Sequence, residues 1–244
     1  MLVSAGNFFF KYRDFLAPAV FVALVVIFPP RLPLGSERLE WTTDAIGILF
    51  CLAGLVLRGA VVGYEYIKRG GKDKKVYADN LVTGGFFAHS RNPLYLGNFL
   101  GIVGFFIVQG NLWACLIGIS FYTFLYLSIV AAEETFLHGK FGSEYEDYCR
   151  RVNRFIPSFR GLHDSVGGMP FDWRRVIRKE YGTIFLWHTV VLGLIAWSEI
   201  YNARRAGLEP SHTQLNVLLA LWGVGAIAWG ASRVLKKKGT LGVG

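Results

Sequence analysis

Two stretches of this chain concentrate residues able to bind and polarise a ligand: GGFFAHSRNPLYLGN from Gly84 to Asn98, and EETFLHGKFGSEYEDYCRRVNRFIP from Glu133 to Pro157. In the first, Pro93 fits the opening turn of a helix, where its missing N–H would be unpaired anyway. A helix starting there aims its free amides, together with Arg91 and Asn92, at an anion such as a carboxylate. In the second, Glu133 and Glu134 can receive a cation or hydroxyl groups. If the stretches meet, a zwitterionic amino-acid moiety fits between them. The competing reading is an Arg and Glu pair at a membrane edge that holds two helices in register.

The elements around these stretches are apolar. The 244 residues are 53% hydrophobic and 18% charged, a balance shifted away from soluble domains. Apolar runs occupy Phe15 to Phe28, Ile46 to Val62, Leu94 to Val108, Leu112 to Ala132, Ile184 to Trp197 and Leu215 to Val234. With flanking residues each approaches the roughly 20 needed to cross hydrocarbon as a helix. The expected fold is an all-α polytopic membrane protein of six spans. The first span is expected to be retained, since no cleavage-site pattern follows a basic start. Only Gln109, Gly110 and Asn111 separate spans three and four, which predicts a tight helical hairpin. The long polar connections, Lys68 to Pro93 and Glu133 to Gly182, are where chemistry belongs. No repeat or compositional break divides the chain, so 1–244 reads as one membrane domain. Its core is 81–159, followed in 160–244 by an interfacial helix and two further spans.

A net charge of +9 invites a nucleic-acid reading, but the placement of the charges favours a membrane. Of the 26 Lys and Arg, only Arg31, Arg38, Arg204 and Arg205 fall on one side of six spans, and Arg58 falls within one. The rest mark the cytoplasmic side, with both termini and the site, and they suit anionic lipid headgroups. Cys51, Cys115 and Cys149 lack metal-site spacing, so neither zinc nor disulfides are expected.

Phe141, Tyr145, Tyr148, Val152 and Phe155 recur at steps of three or four and predict a helix with one apolar stripe. Ser143 and Glu146 have the spacing of a capping box to start it, and Pro157 is placed to end it. Phe171 to Tyr181 reads as a second amphipathic helix, lying along the headgroups before span five. Arg58 is costly to bury and calls for a partner, for which Glu65, seven residues on, is the candidate. The arginine itself is either half of a structural ion pair or a lining residue of the site. His188 suits an interhelical hydrogen bond. Gly223, Gly225 and Ala228 spell G-x-G-x-x-A, but inside an apolar span such small residues signal helix packing, as do Gly59 with Gly63 and Gly97 with Gly101.

The two stretches resemble the membrane methyltransferase family that includes isoprenylcysteine carboxyl methyltransferases and phospholipid N-methyltransferases. The family's Arg-His-Pro-x-Tyr-x-Gly is matched by Arg91, Pro93, Tyr95 and Gly97, preceded by Gly85 and Phe87. Its Glu-Glu-x-x-Leu is matched by Glu133, Glu134 and Leu137, and its Phe-Gly-x-Glu-Tyr by Phe141, Gly142, Glu144 and Tyr145. Tyr148, Arg151, Ile156 and Pro157 complete the order. Asn92 stands where the family has His, and an amide cannot titrate near neutral pH; Phe86 stands where it has Pro.

The resemblance implies S-adenosylmethionine as cofactor and a lipid or lipidated substrate reaching the site from the bilayer. It implies cofactor contacts at His89, Arg91, Asn92, Pro93, Tyr95, Gly97 and Asn98, with Tyr145 and Tyr148 covering the pocket. Glu134, Glu133 and Arg151 are the candidate catalytic residues, the two carboxylates as cofactor clamp or base and Arg151 on the acceptor side. Methyl transfer needs alignment first, and a base only if the acceptor is an ammonium headgroup. Two alternatives predict different behaviour: an NADPH-dependent membrane sterol reductase, which has a related hairpin, and a non-catalytic transporter or scaffold.

Overall fold

The computed structural model describes residues 1–32, 36–65 and 78–242. The predicted connection from Lys68 therefore lies outside the described residues as far as Tyr77. Among the described residues eight α-helices follow in chain order: α1 Leu2–Ile27, α2 Glu37–Tyr64, α3 Pro93–Gln109, α4 Leu112–Phe141, α5 Ser143–Arg151, α6 Leu162–Gly167, α7 Trp173–Arg205 and α8 His212–Lys237. A 3₁₀ turn, Gly85–Ala88, precedes α3. There is no strand among the described residues.

Five of the six apolar runs lie within helices, and the first does so up to Ile27, with Phe28 just past the end of α1. Among the described residues four helices are long and apolar enough to cross a membrane: Arg38–Tyr64, Leu112–Phe141, Trp173–Arg205 and His212–Lys237. Of the other two predicted spans, α3 is a shorter apolar helix of 17 residues, and α1 carries Lys11, Arg13 and Asp14 near its middle.

α1 packs on α4, α2 on α3, and α7 on α2, α3 and α8. Small residues set the closest approach. A Cβ on Gly104 would lie 2.5 Å from the Gly47 carbonyl, and one on Gly54 2.5 Å from that of Gly97, so α2 and α3 touch backbone to backbone. Gly101 lies beneath the Trp187 ring of α7, and Gly63 beneath Phe171. Gly59 makes only an ordinary contact with Val176. In the G-x-G-x-x-A stretch Gly225 packs on His188, whose Nε2 meets the Leu221 carbonyl at 3.1 Å, while Gly223 faces open space. His188 is thus an interhelical hydrogen-bonder.

The α3–α4 hairpin is as tight as predicted. Gly110 takes φ +76, a left-handed conformation that glycine adopts without strain. Asn111 caps α4 by accepting from the Trp113 and Ala114 amides. Gln109 and Asn111 also donate to the Phe28 and Pro29 carbonyls, which ties the end of α1 to the turn.

Three local expectations are corrected. The second polar connection does not begin at Glu133, because α4 runs on through Glu133 and Glu134 to Phe141. α5 has no Ser143 capping box: it starts after Gly142, at φ +53, and Glu146 binds His138 at 2.7 Å. It ends at Arg151, well before Pro157, because the chain beyond is drawn into hydrogen bonds with the segment before α3. The Phe171 to Tyr181 stretch forms no separate helix along the headgroups. α7 continues unbroken from Trp173, capped by Asp172 accepting from the Arg175 amide. That bond holds the Asp172 carboxyl below its ordinary range.

Candidate active site

The segment before α3 is laced to the segment after α5. The Arg91 amide donates to the Asn153 carbonyl at 2.9 Å and the Ser158 amide to that of His89 at 3.0 Å. Ser90 Oγ donates to Phe155 O at 3.0 Å, and Asn92 Nδ2 to Arg154 O at 3.1 Å. The buried His89 ring spans the same seam, with Nδ1 on Ser158 O at 2.5 Å and Nε2 on Ser165 Oγ at 2.9 Å. Most of these bonds join backbone to backbone or buried side chain to backbone, so the seam fixes the start of α3.

Charge reinforces the seam. Glu134 lies 3.3 Å from Arg91 Nη1, and Arg154 grips both its oxygens, at 2.5 and 3.2 Å. Burial by itself would loosen the Arg91 proton, but Glu134, with Cys149 and Tyr145, outweighs it and holds the guanidinium charged. Arg91 also donates to Cys149 Sγ. Its Nε is buried with no hydrogen-bond partner among the described residues. Of the predicted stripe only Tyr145 and Tyr148 fall in α5; they are buried with Val152, Leu137 and Ala78, while Phe141 ends α4 and Phe155 lies beyond α5. Tyr148 donates to the Phe87 carbonyl at 2.7 Å. Burial, then the Glu134 charge, pushes the Tyr145 phenol far above its ordinary range, so it stays neutral.

Glu133 points elsewhere. One residue along a helix is a turn of about 100°, and that rotation brings Glu133 to the wall of a cavity of about 530 Å³ between α1, α2, α3, α4 and α7. Tyr95 donates to Glu133 Oε1 at 2.7 Å, and Arg13 Nη1 lies 3.4 Å from the Tyr95 hydroxyl. At the other pole Arg58 makes a bidentate pair with Glu180, both bonds 2.8 Å, and donates to Asn98 Oδ1 at 2.5 Å. The partner of Arg58 is therefore Glu180 of α7 and not Glu65, whose Oε2 lies against the Gly84 and Gly85 backbone without a hydrogen-bond partner among the described residues. Arg58 is thus ion-paired and also lines the cavity. Between the poles the walls are apolar, with Leu94, Leu125, Ile129, Leu137 and Leu186 among them.

Residues 43–144 match the phospholipid methyltransferase family. Within that matched stretch lie the α3–α4 hairpin, Arg58, Tyr95, Asn98 and both glutamates. The chain is also similar to the protein-S-isoprenylcysteine O-methyltransferase of Schizosaccharomyces pombe, 29% identical over 121 residues, 48% of this chain and 50% of that protein. The Xenopus laevis protein of the same description is 27% identical over 132 residues, 52% of this chain and 44% of that one. The nickel-cobalt-cadmium resistance protein NccN of Alcaligenes xylosoxydans xylosoxydans is 34% identical over 77 residues, 32% and 36% of the two chains. The chain thus spans half or less of the length of these curated relatives. No solved structure matches it. Apolar helices and membrane methyltransferase relatives together make this an integral membrane protein.

The candidate residues divide by place. Tyr95, Asn98 and Glu133 line the cavity. His89, Arg91, Asn92 and Glu134 form the seam. Pro93 is fully buried and occupies the first turn of α3 as predicted, and Gly97 lies under Arg58. Arg151 is exposed and donates to the Asp147 carbonyl one turn back, joining neither group. Sequence reasoning missed three polar groups. Arg13 reads as a topology charge, Arg154 as the solvent side of a longer helix, and Glu180 is hidden among basic residues. Only Glu180 left a signal, as the sole carboxylate between Trp173 and Ser198.

Proposed function

We propose that the protein is an S-adenosylmethionine-dependent methyltransferase acting on a lipophilic acceptor drawn from the bilayer, an isoprenylcysteine carboxylate or a phospholipid amine. One observation carries this reading. A largely apolar cavity, walled in part by the family-matched stretch, ends at a carboxylate of that stretch, Glu133, held by Tyr95 and backed by Arg13 of α1.

The residues present fit the cofactor. A volume of about 530 Å³ lies within the roughly 300–1,000 Å³ usual for such sites. The lining offers carboxylate and hydroxyl for an ammonium and ribose, and Arg13 for a carboxylate. S-adenosylmethionine, when bound, supplies an electrophilic methyl whose thioether leaving group needs no acid. The chain's own task is alignment and exclusion of water. Tyr95 fixes the rotation of the Glu133 carboxylate, and the seam fixes the start of the helix that carries Tyr95. An ammonium acceptor must first lose a proton; of the two carboxylates on the cavity wall, Asp14 and Glu133, Glu133 is the one that Tyr95 holds in place to take it. A carboxylate acceptor is already a nucleophile and needs no base. Tyr145 and Tyr148, packed beneath the seam, act as supports.

In this reading the chain crosses the membrane six times, α1 and α3 included, with termini and site cytoplasmic. The basic residues at the start of α7 and the end of α8 then meet anionic lipids. Support comes from the packing of α7 on α8, which sets Lys236 over Tyr181.

The test is calorimetry on purified protein in detergent with S-adenosylhomocysteine and, separately, NADPH, followed by mass spectrometry of membrane extract incubated with the protein and isotope-labelled methyl donor. Saturable S-adenosylhomocysteine binding and a labelled lipophile are expected. Binding of NADPH alone would replace the reading with a reductase, and binding of neither would leave a non-catalytic membrane protein.

A further inference from the structure

We propose that Glu180, outside the family-matched stretch, is a positioning residue for the cavity, and that α7 is thereby part of the site. Glu180 lies in the third turn of α7 and is 5% exposed. An unpaired carboxylate at that depth is costly. Its two oxygens take Nε–H and Nη2–H of Arg58, both at 2.8 Å, in the fork geometry that fixes a guanidinium plane. The remaining terminal nitrogen, Nη1, then faces Asn98 Oδ1 at 2.5 Å.

The consequence falls on Asn98. A guanidinium can only donate, so the amide oxygen must be the atom turned to Arg58, and the donor end, Nδ2, is directed away from it. Asn98 and Arg58 both line the cavity. The order of cause runs from Glu180 through Arg58 to Asn98, and its outcome is a hydrogen-bond donor of fixed orientation at the wall. An ion pair needed only to join α2 to α7 would not require its arginine to line the cavity or to hold a third residue. Leu186 of the same helix adds apolar wall. The inference rests on the cofactor reading above, with Asn98 as a contact of the adenosyl ligand.

The experiment compares full-length protein in detergent as wild type, Glu180→Leu, the double variant Arg58→Met with Glu180→Leu, Asn98→Ala, and the triple combination. Thermal unfolding and S-adenosylhomocysteine affinity by calorimetry are read together. Glu180→Leu strands a buried guanidinium and is expected to unfold at lower temperature. The double variant, with both charges gone, is expected to recover the wild-type midpoint, since a matched apolar pair replaces a buried ion pair without loss. Its affinity is nevertheless expected to stay roughly tenfold weaker, about one hydrogen bond, with Asn98→Ala equally weak and the triple variant no weaker. A stable double variant with wild-type affinity would overturn the proposal, as would an additive effect of Asn98→Ala upon it. A double variant that fails to fold would overturn it too, by making the pair indispensable to the fold. Wild-type protein that does not bind S-adenosylhomocysteine would remove the cofactor reading and this inference together.

Discussion

Glu133 and Glu134 are consecutive on α4, yet Glu133 accepts from Tyr95 at 2.7 Å on the cavity wall while Glu134 lies 3.3 Å from Arg91 in the seam. The helix turns about 100° between them, so one motif feeds two structures. Substituting each should therefore affect different quantities. Glu133→Gln and Tyr95→Phe should leave the thermal midpoint within a few degrees of wild type. Each should lower turnover at least tenfold, as expected for loss of a positioned charged or hydroxyl group at a reacting centre. A Glu133→Gln variant with wild-type turnover of both acceptor classes would remove the role assigned to this carboxylate.

Glu134→Gln should act on stability first. The carboxylate is 13% exposed and faces two guanidinia. Neutralising it leaves Arg91 and Arg154 repelling each other, at a cost of roughly 2–3 kcal/mol after allowance for the half-exposed Arg154. A double-mutant cycle with Arg91→Met, read by denaturant or thermal unfolding, should show coupling of at least about 1 kcal/mol. Independent effects would mean that the pair contributes nothing to the seam.

The helices and the meeting of the two stretches were legible in sequence because both have local signatures: runs of about 20 apolar residues, Pro93 at a helix start, and three turn residues between α3 and α4. The division of labour within the site was not. Arg58 needed a partner, but spacing along its own helix offers Glu65, whereas the group that reaches it sits 122 residues away on α7. The capping box failed for a related reason. Glu146 finds His138 of α4, a partner visible only once the helix of Glu133 is known to continue. Patterns of type and spacing reveal elements; the choice among competing polar partners is made by tertiary proximity.

His89 separates a ligand-binding from a structural role. Both ring nitrogens are engaged by the chain from Ser158 to Ser165, so His89→Ala should free that segment and leave the cavity walls intact. The expected signs are faster proteolysis near 158–168 and a stability loss of about 1–3 kcal/mol for unsatisfied buried partners. S-adenosylhomocysteine affinity should change less than threefold. A large loss of affinity with unchanged proteolysis would return His89 to the ligand.

Gly101 offers the most direct check on the packing that frames the cavity. A Cβ there would fall 2.2 Å from Cη2 of Trp187, with two further ring atoms at 2.5 and 2.6 Å. Trp187 is only 7% exposed and packs in the cluster with Cys51, Phe105 and Leu194, so the rigid indole has nowhere to retreat. Gly101→Ala should push α7 off α3 and cost roughly 1–3 kcal/mol as overpacking. Glu180 and Leu186 ride on α7 close to Trp187, so the same displacement should weaken the Arg58 pair. Enlarging the space with Trp187→Phe should restore part of the lost stability. Gly139→Ala, where a Cβ meets nothing within 4 Å, should be neutral or slightly stabilising by helix propensity. Equal thermal midpoints for the two alanine variants would show that α3 and α7 are not packed as closely as described.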